Sequence, residues 1–381
     1  MTLHQPSPST STRRSRRAFT IIELLVVVAI IALLASMVLV VYGRVGENAR
    51  IASTKTLLKQ LDSTLQDRME SFRRYNFAPL AQSFFRYSGT QQAYEPVAWF
   101  RKLTYRTEFP QRFEDLYGYD GESGDGHTID GSPPMLGAAG KADNSPLWGL
   151  IRKRVDPMYN SIDMADANSP AYISNGELLF LFLTEASSYG LPALDLSQVS
   201  PRHIVDSDDD SFPEFVDGWG NPLGFYNAPT GLLRPGGNVY DKDSGMGQPI
   251  TVANYNNARI LIRSLPQLPL DSMTGQPRNL AYDEFDHPLN IDPQDYLGII
   301  TIDADMTTDN EDRFEQRWHA MDTFYVPLLV SAGPDGLYGL FRPNERELTV
   351  PPPNNNRDRL CVINNLDDVY DNLTNYQRGG F

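Results

Sequence analysis

The stretch FTIIELLVVVAIIALLASMVLVV, residues 19–41, decides how this chain is interpreted, because it is long and apolar and contains a single acid, Glu23. A helix from Leu24 to Tyr42 would cover roughly 30 Å at ~1.5 Å per residue, the thickness of the hydrocarbon core of a bilayer. Residues 1–17 contain four arginines and no acid, so the positive-inside rule predicts a cytoplasmic N-terminus. The sequence therefore predicts a single-pass transmembrane helix.

Glu23 separates this stretch from an ordinary signal anchor or secretory signal peptide. A carboxylate in a membrane helix costs about 2.5–3.5 kcal/mol on insertion scales, so such acids usually have a partner. The apolar run is also too long for the hydrophobic region of a signal peptide, and no small-residue cleavage site follows it. The sequence therefore predicts a counter-ion for Glu23.

Residues 17–25, RAFTIIELL, resemble the cleavage and methylation signature of type IV prepilins and pseudoprepilins. The resemblance implies that a prepilin peptidase cuts between Ala18 and Phe19 and that Phe19 is then N-methylated. Glu23 becomes the fifth residue of the mature chain. The family usually has Gly where this chain has Ala18.

Cleavage would create a cationic amine at Phe19 in an apolar environment. In pilin-like filaments the acid that corresponds to Glu23 is thought to pair with the terminal amine of a neighbouring subunit. Two charges that are costly in hydrocarbon then neutralise each other across an interface. This pairing would give filament assembly its register.

Residues 44–74 predict an amphipathic helix that continues the membrane helix. The segment lacks proline, and its apolar residues recur at intervals of three and four: Leu57, Leu58, Leu61, Leu65, Met69 and Phe72. In pilins this second half of the helix packs its apolar stripe onto a β-rich head. The resemblance implies the same arrangement here.

Residues 77–213 show little periodicity apart from a predicted helix at 175–188. Two acidic runs, at 120–131 and 206–210, contain the oxygen ligands that suit Ca²⁺. The first lacks the EF-hand spacing, and the second has Ser211 where the EF-hand loop needs Gly. Solvated turns explain such runs as well as a cation site does.

Resemblance resumes at residues 216–226, VDGWGNPLGFY, which are similar to the D-x-W-G-N-P-x-x-Y segment of the major, G-type pseudopilin. The Gly-Asn-Pro sequence predicts a tight turn between paired strands that pack on the stem helix. Residues 324–330 predict a buried strand.

Residues 371–376, DNLTNY, resemble the end of the same pseudopilins, where a loop binds Ca²⁺. The candidate ligands implied by this resemblance are Ser331, Asp335 and Asp371. The loop here is longer than that of the family. Ca²⁺ would order a long loop that has no disulfide.

The sequence therefore predicts an α+β fold in which a long N-terminal helix, half transmembrane and half amphipathic, packs on a β-rich head. The predicted parts are a removed leader at 1–18, a transmembrane and stem helix at 19–75, an insertion of unknown fold at 76–213, and the head at 214–381.

Composition narrows the possible functions. A formal charge of −15 argues against nucleic acid as a partner, because phosphate backbones favour Lys and Arg surfaces. With Cys361 as the single cysteine, no intrachain disulfide can form. The five histidines are scattered, which does not favour a zinc site.

The leading hypothesis is a structural subunit of a type II secretion pseudopilus, which is not an enzyme. Its head would lie outside the cytoplasm, and its partners would be other pilin-like subunits, prepilin peptidase, the inner-membrane assembly platform and membrane lipid. A type IV minor pilin or adhesin is the alternative. A membrane-tethered enzyme or receptor is less favoured, because the chain lacks G-x-S-x-G, H-E-x-x-H, P-loop and C-x-x-C motifs.

Overall fold

The computed structural model describes residues 20–85, 95–116, 146–159, 164, 168–186, 190–227, 229, 232, 252–263, 327–343, 361 and 363–376. Its first element is one long helix, α1, at Ile21–Arg74. The helix begins where Glu23 N donates to Thr20 Oγ1 and Thr20 N donates to Glu23 Oε2, a reciprocal cap that satisfies backbone donors. The predicted continuous N-terminal helix is confirmed.

Five shorter α-helices follow α1 in the described residues. They are α2 (Ala78–Phe85), α3 (Glu95–Glu108), α4 (Pro146–Arg154), α5 (Asn175–Thr184) and α6 (Val252–Leu261). α5 is the helix predicted at 175–188, and a full capping box between Ser174 and Glu177 fixes its start. It ends at Thr184, four residues before the predicted end.

Two small antiparallel sheets complete the described fold. In the first, β1 (Ile204–Val205) pairs with β2 (Glu214–Phe215). In the second, β4 (Leu328–Ser331) lies between β3 (Gly224–Tyr226) and β5 (Leu373–Thr374). β4 is buried throughout, as the apolar sequence predicts, although residues 324–326 lie outside the described part. The α+β class is confirmed.

The apolar stripe of α1 forms one side of the main core. Its six predicted members are at most 1 % exposed: Leu57, Leu58, Leu61, Leu65, Met69 and Phe72. They pack in one cluster with side chains from α3, α4 and α5 and from the strands of both sheets. Burial of a Leu or Phe side chain contributes about 1.5–3 kcal/mol, so this stripe is a large part of the stability of the fold.

The stem shares this core with the described part of residues 76–213, the segment predicted as an insertion of unknown fold. Phe109, Phe113, Ile151 and Leu178 all lie in the same cluster as Leu61. By contacts the chain divides into two compact units, Met1–Ala49 and Arg50–Phe381, so the described residues of 76–213 lie in the same unit as the head. The four-part division predicted from the sequence stays a prediction.

Arg68 joins the stem to α5 inside the core. Although only 1 % of the residue is exposed, its guanidinium donates to the carbonyl oxygens of Phe182, Leu183 and Ala186, at 2.5, 3.0 and 2.7 Å. These carbonyls lie at the C-terminal end of α5, where helical acceptors lack intrahelical partners. Burial lowers the pKa of Arg68 to about 10, so the side chain stays cationic at neutral pH.

The predicted turn lies at 217–221 and packs against the stem. The strands on either side of it were predicted to pair, but β2 and β3 belong to different sheets, and an isolated bridge between Val216 and Pro222 joins them. Asp217 N donates to Asn221 O at 2.8 Å, and Gly220 has a φ of +96°, which favours glycine. Gly218 N donates to Thr54 Oγ1 at 2.8 Å. A Cβ on Gly218 would lie 2.5 Å from Arg50 O, so the backbones approach too closely there for any side chain.

Candidate functional site

The first seventeen described residues of α1 expose their apolar side chains. From Ile21 to Met37 the large hydrophobic residues are 45–85 % exposed. Glu23 lies among them, and both Thr20 N and Thr20 Oγ1 donate to its Oε2, at 2.9 and 3.0 Å. Ala18 and Phe19, the predicted cleavage pair, lie outside the described residues.

This apolar surface surrounds an acid whose side chain, among the described residues, accepts hydrogen bonds from Thr20 alone, both through Oε2. The arrangement leaves a carboxylate among side chains that would be covered in an apolar medium or by other helices. Pairing of Glu23 with the amine of a neighbouring subunit stays a prediction.

Residues 13–39 match the family model described as the prokaryotic N-terminal methylation motif. The chain carries the prepilin-type cleavage and methylation signal. This match confirms the resemblance to pilin-like proteins that was read from residues 17–25. No curated protein and no solved structure matches the chain significantly.

The motif supports a pilin-like substrate of prepilin peptidase, and it is shared by pseudopilus and pilus subunits alike. Among the residues that the structure describes, no helix is both long enough and apolar enough to cross a membrane. The predicted span at 19–41 stays a prediction.

The three calcium ligands predicted in the C-terminal region lie on neighbouring elements. Ser331, at the end of β4, is fully buried, and its hydroxyl donates to Asp217 Oδ2 at 2.7 Å and accepts Gly333 N at 3.2 Å. Asp335 is exposed, and its Oδ1 accepts Leu337 N at 2.8 Å. The hydroxyl of Ser331 is thus engaged by protein groups.

Asp371 is the ligand candidate with an unsatisfied atom. Its Oδ1 is buried and has no hydrogen-bond partner within the described part of the chain. Burial raises the pKa of Asp371, and the negative charge of Asp335 raises it further. Two carboxylates therefore act on each other here, one of them with an orphaned oxygen, and this fits a divalent cation.

A second acidic cluster lies at the start of α5. Glu177, Asp208 and Asp210 place carboxylate oxygens within 4.8 Å of one another. Glu177 is 2 % exposed, and its Oε2 accepts Ser174 N at 2.6 Å in the capping box. Burial, followed by the charge of Asp210, raises the pKa of Glu177 to about 9.

The carboxylates of Asp210 and of the neighbouring Glu214 are poorly satisfied by hydrogen bonds. Burial raises the pKa of Asp210 to about 7. Burial also raises the pKa of Glu214, and hydrogen bonds from Ser207 oppose this rise. Neither carboxylate oxygen of Glu214 has a hydrogen-bond partner of normal geometry, and Asp210 Oδ2 also lacks one. The cluster concentrates negative charge in a partly buried place.

The sequence indicated part of this cluster. The run at 206–210 was recognised as oxygen-rich, but Glu177 and Glu214 were missed. The S-x-x-E spacing of Ser174 and Glu177 signals only a helix start. Glu214 occupies the ninth position counted from Asp206, which is a ligand position of an EF-hand loop and could have been found. The other acidic run, at 120–131, lies outside the described residues.

Proposed function

We propose that this chain is a structural subunit of a type II secretion pseudopilus, cut by prepilin peptidase before Phe19 and assembled through its N-terminal helix. The observation that carries the proposal is the methylation motif at residues 13–39. The exposed apolar half of α1 supports it, because such a surface is normally covered in a working protein. Membrane anchoring before assembly, with the head outside the cytoplasm, belongs to the same proposal.

Two segments of the head that resemble pseudopilins favour a secretion pseudopilus over a type IV pilus. The D-x-W-G-N-P segment forms a turn locked onto the stem through Gly218 and Thr54. Asn221 also donates to Gly333 O at 2.8 Å, which ties this turn to the segment that resembles the pseudopilin calcium loop. No catalytic step is assigned to the chain.

The first test is mass spectrometry of the mature N-terminus. We expect N-methylated Phe19, with the loss of four arginines and no acid moving the formal net charge from −15 to −19. An intact Met1, or a cut after residue 35, in cells that have a prepilin peptidase would refute the proposal.

The second test replaces Glu23 by Ala and follows subunit crosslinking and secretion. We expect normal membrane insertion and a loss of assembly, because the charge costs free energy in hydrocarbon and is useful only in a pair. Glu70→Ala is the matched control, since Glu70 is an exposed acid on the same helix. Normal assembly of Glu23→Ala would contradict the pairing.

Deletion of the gene distinguishes the two kinds of filament. A pseudopilus subunit should be needed for secretion of folded proteins while surface pili persist. Loss of surface pili with normal secretion would favour the alternative, a type IV minor pilin or adhesin.

Calcium at the C-terminal loop is the second part of the proposal, with Asp335 and Asp371 as ligands and Ser331 as the third predicted one. A cation that binds only the folded state would stabilise it by about 2.7 kcal/mol at a hundred times its dissociation constant. We expect the chain to melt at a higher temperature in millimolar Ca²⁺ than in chelator, and Asp335→Ala to reduce the difference. An unchanged calcium response in Asp335→Ala would exclude Asp335 as a ligand.

A further inference from the structure

The acidic cluster at the start of α5 is far from the C-terminal loop in sequence and is built differently. Glu177 lies in the first turn of α5, Asp208 and Asp210 lie in the loop between β1 and β2, and Glu214 opens β2. α5 and β2 pack closely, since a Cβ on Gly176 would lie 3.4 Å from Glu214 Cβ. Helix and loop thus bring three carboxylates within 4.8 Å of one another, and the strand places Glu214 beside the start of the helix.

Glu214 is buried and poorly hydrogen-bonded. The residue is 1 % exposed, and among the described residues neither of its carboxylate oxygens has a hydrogen-bond partner of normal geometry, although Ser207 lies near enough to lower its pKa. The charges that act on it come from Asp206 and Asp208, and its own charge acts on Glu177 and Asp210, so it faces the cluster. A buried carboxylate that is poorly hydrogen-bonded and lies among other acids is costly, and a cation among these acids would reduce that cost.

The loop that carries the cluster has the spacing of a calcium loop. Asp206, Asp208 and Asp210 occupy the first, third and fifth positions of an EF-hand loop, and Glu214 occupies the ninth. The carboxylate of Asp206 accepts Asp210 N at 3.2 Å and Ser211 N at 3.0 Å. Ser211 stands at the sixth position, where the EF-hand has Gly, and has a φ of +79°. The loop therefore makes the sharp turn without the glycine.

We propose that Glu177, Asp208, Asp210 and Glu214 bind a divalent cation of the calcium class. The donors are carboxylate oxygens without His or Cys, which suits a hard cation. Ca²⁺ accepts six to eight oxygens in irregular geometry, whereas Mg²⁺ demands a near-ideal octahedron. Bound here, the ion clamps the loop and β2 to α5 in a chain that can form no intrachain disulfide.

Calorimetric titration of the full chain with CaCl₂, in mild detergent after treatment with chelator, tests this site. An Asp371→Asn background removes the C-terminal candidate, and substitutions in the cluster then show whether the remaining calcium binding belongs to it. In that background we expect a single calcium site, and adding Asp208→Asn should lower its affinity roughly tenfold or more. Asp209→Asn is the control, because Asp209 is an exposed residue with a φ of +62°, which Asn tolerates.

Glu214→Gln separates a ligand from a structural residue. It should weaken calcium binding, yet the metal-free variant should melt no lower than its parent, because the change removes a buried charge. No calcium binding in the Asp371→Asn background would overturn the proposal, since the cluster would then be neutralised by protons alone. Unchanged binding in Asp208→Asn and Glu214→Gln would overturn it equally.

Discussion

The first and second halves of α1 both carry large apolar side chains but differ in how many they carry and in what covers them. Between Ile21 and Met37 the large hydrophobic side chains are at least 45 % exposed, whereas Leu57, Leu61 and Leu65 are at most 1 % exposed. The second half is apolar on one stripe and folds against its own chain. The first half is apolar all round, which is typical of a helix whose neighbours are lipid or other subunits. One continuous helix can therefore serve folding through its buried C-terminal part and assembly through its exposed N-terminal part.

The largest expected effect lies in the covered half, at Arg68. Arg68→Ala would remove the guanidinium that donates to Phe182 O, Leu183 O and Ala186 O, leaving Leu183 O with its bond from Leu194 N, and would create a cavity in the core. We expect a loss of about 3–5 kcal/mol in the free energy of unfolding, measured by denaturant titration. Arg74→Ala should change it by less than about 1 kcal/mol, because Arg74 forms an exposed pair with Glu70. Equal losses in both variants would contradict the structural role of Arg68.

A matched pair of leucine truncations tests directly whether the two parts of α1 differ in burial. Leu65→Ala should lower the free energy of unfolding by about 2–5 kcal/mol, because Leu65 is fully buried. Leu33 is 55 % exposed, so Leu33→Ala should alter it by less than about 0.5 kcal/mol. Leu33→Ala should instead weaken subunit crosslinking. A stability loss of similar size at both positions would show that the first half is also covered within the monomer.

The close contact between the turn and the stem predicts a smaller loss of stability when Gly218 is replaced. Gly218→Ala would place a Cβ 2.5 Å from Arg50 O, so the turn must move away from the helix. We expect a cost of about 1–3 kcal/mol, visible as a lower melting temperature. No change in melting would mean that the turn is not held against the stem in solution.

The smallest expected effect, of opposite sign, lies at Gly46. A Cβ on Gly46 meets nothing within 4 Å, so Gly46→Ala should favour the helix by about 0.5–1 kcal/mol. Circular dichroism of the full chain should show equal or greater helicity. Reduced helicity would indicate that the glycine is required for the local backbone.

The sequence was most informative where a physical pattern is local. The spacing of Leu57 to Phe72 predicted the buried stripe, and the Gly-Asn-Pro turn predicted the packing at Gly218. The N-terminal signal was also readable, because its arginines, apolar run and single acid are contiguous. The exact end of α5 could not be predicted from the sequence, since Arg68, from a distant helix, satisfies the carbonyls there.

The acidic cluster was likewise only partly predictable from the sequence, because its members are distant along the chain. Asp208 and Asp210 stand in one visible run, but Glu177 is about thirty residues earlier in the chain and looks like an ordinary helix cap. Only the packing of α5 on β2 brings the cap residue to the loop. The candidate ligands Asp335 and Asp371 were joined in advance by a family resemblance and not by any spacing.

Arg68 also bears on how the head can be divided. The predicted insertion at 76–213 supplies the carbonyls of Phe182, Leu183 and Ala186 that receive this guanidinium. A shortened chain without that segment would therefore carry a stranded cation in the middle of its core. We therefore expect that a version lacking the segment is more stable with an apolar residue at position 68 than with Arg68. The stem and the segment thus depend on each other through this one buried cation.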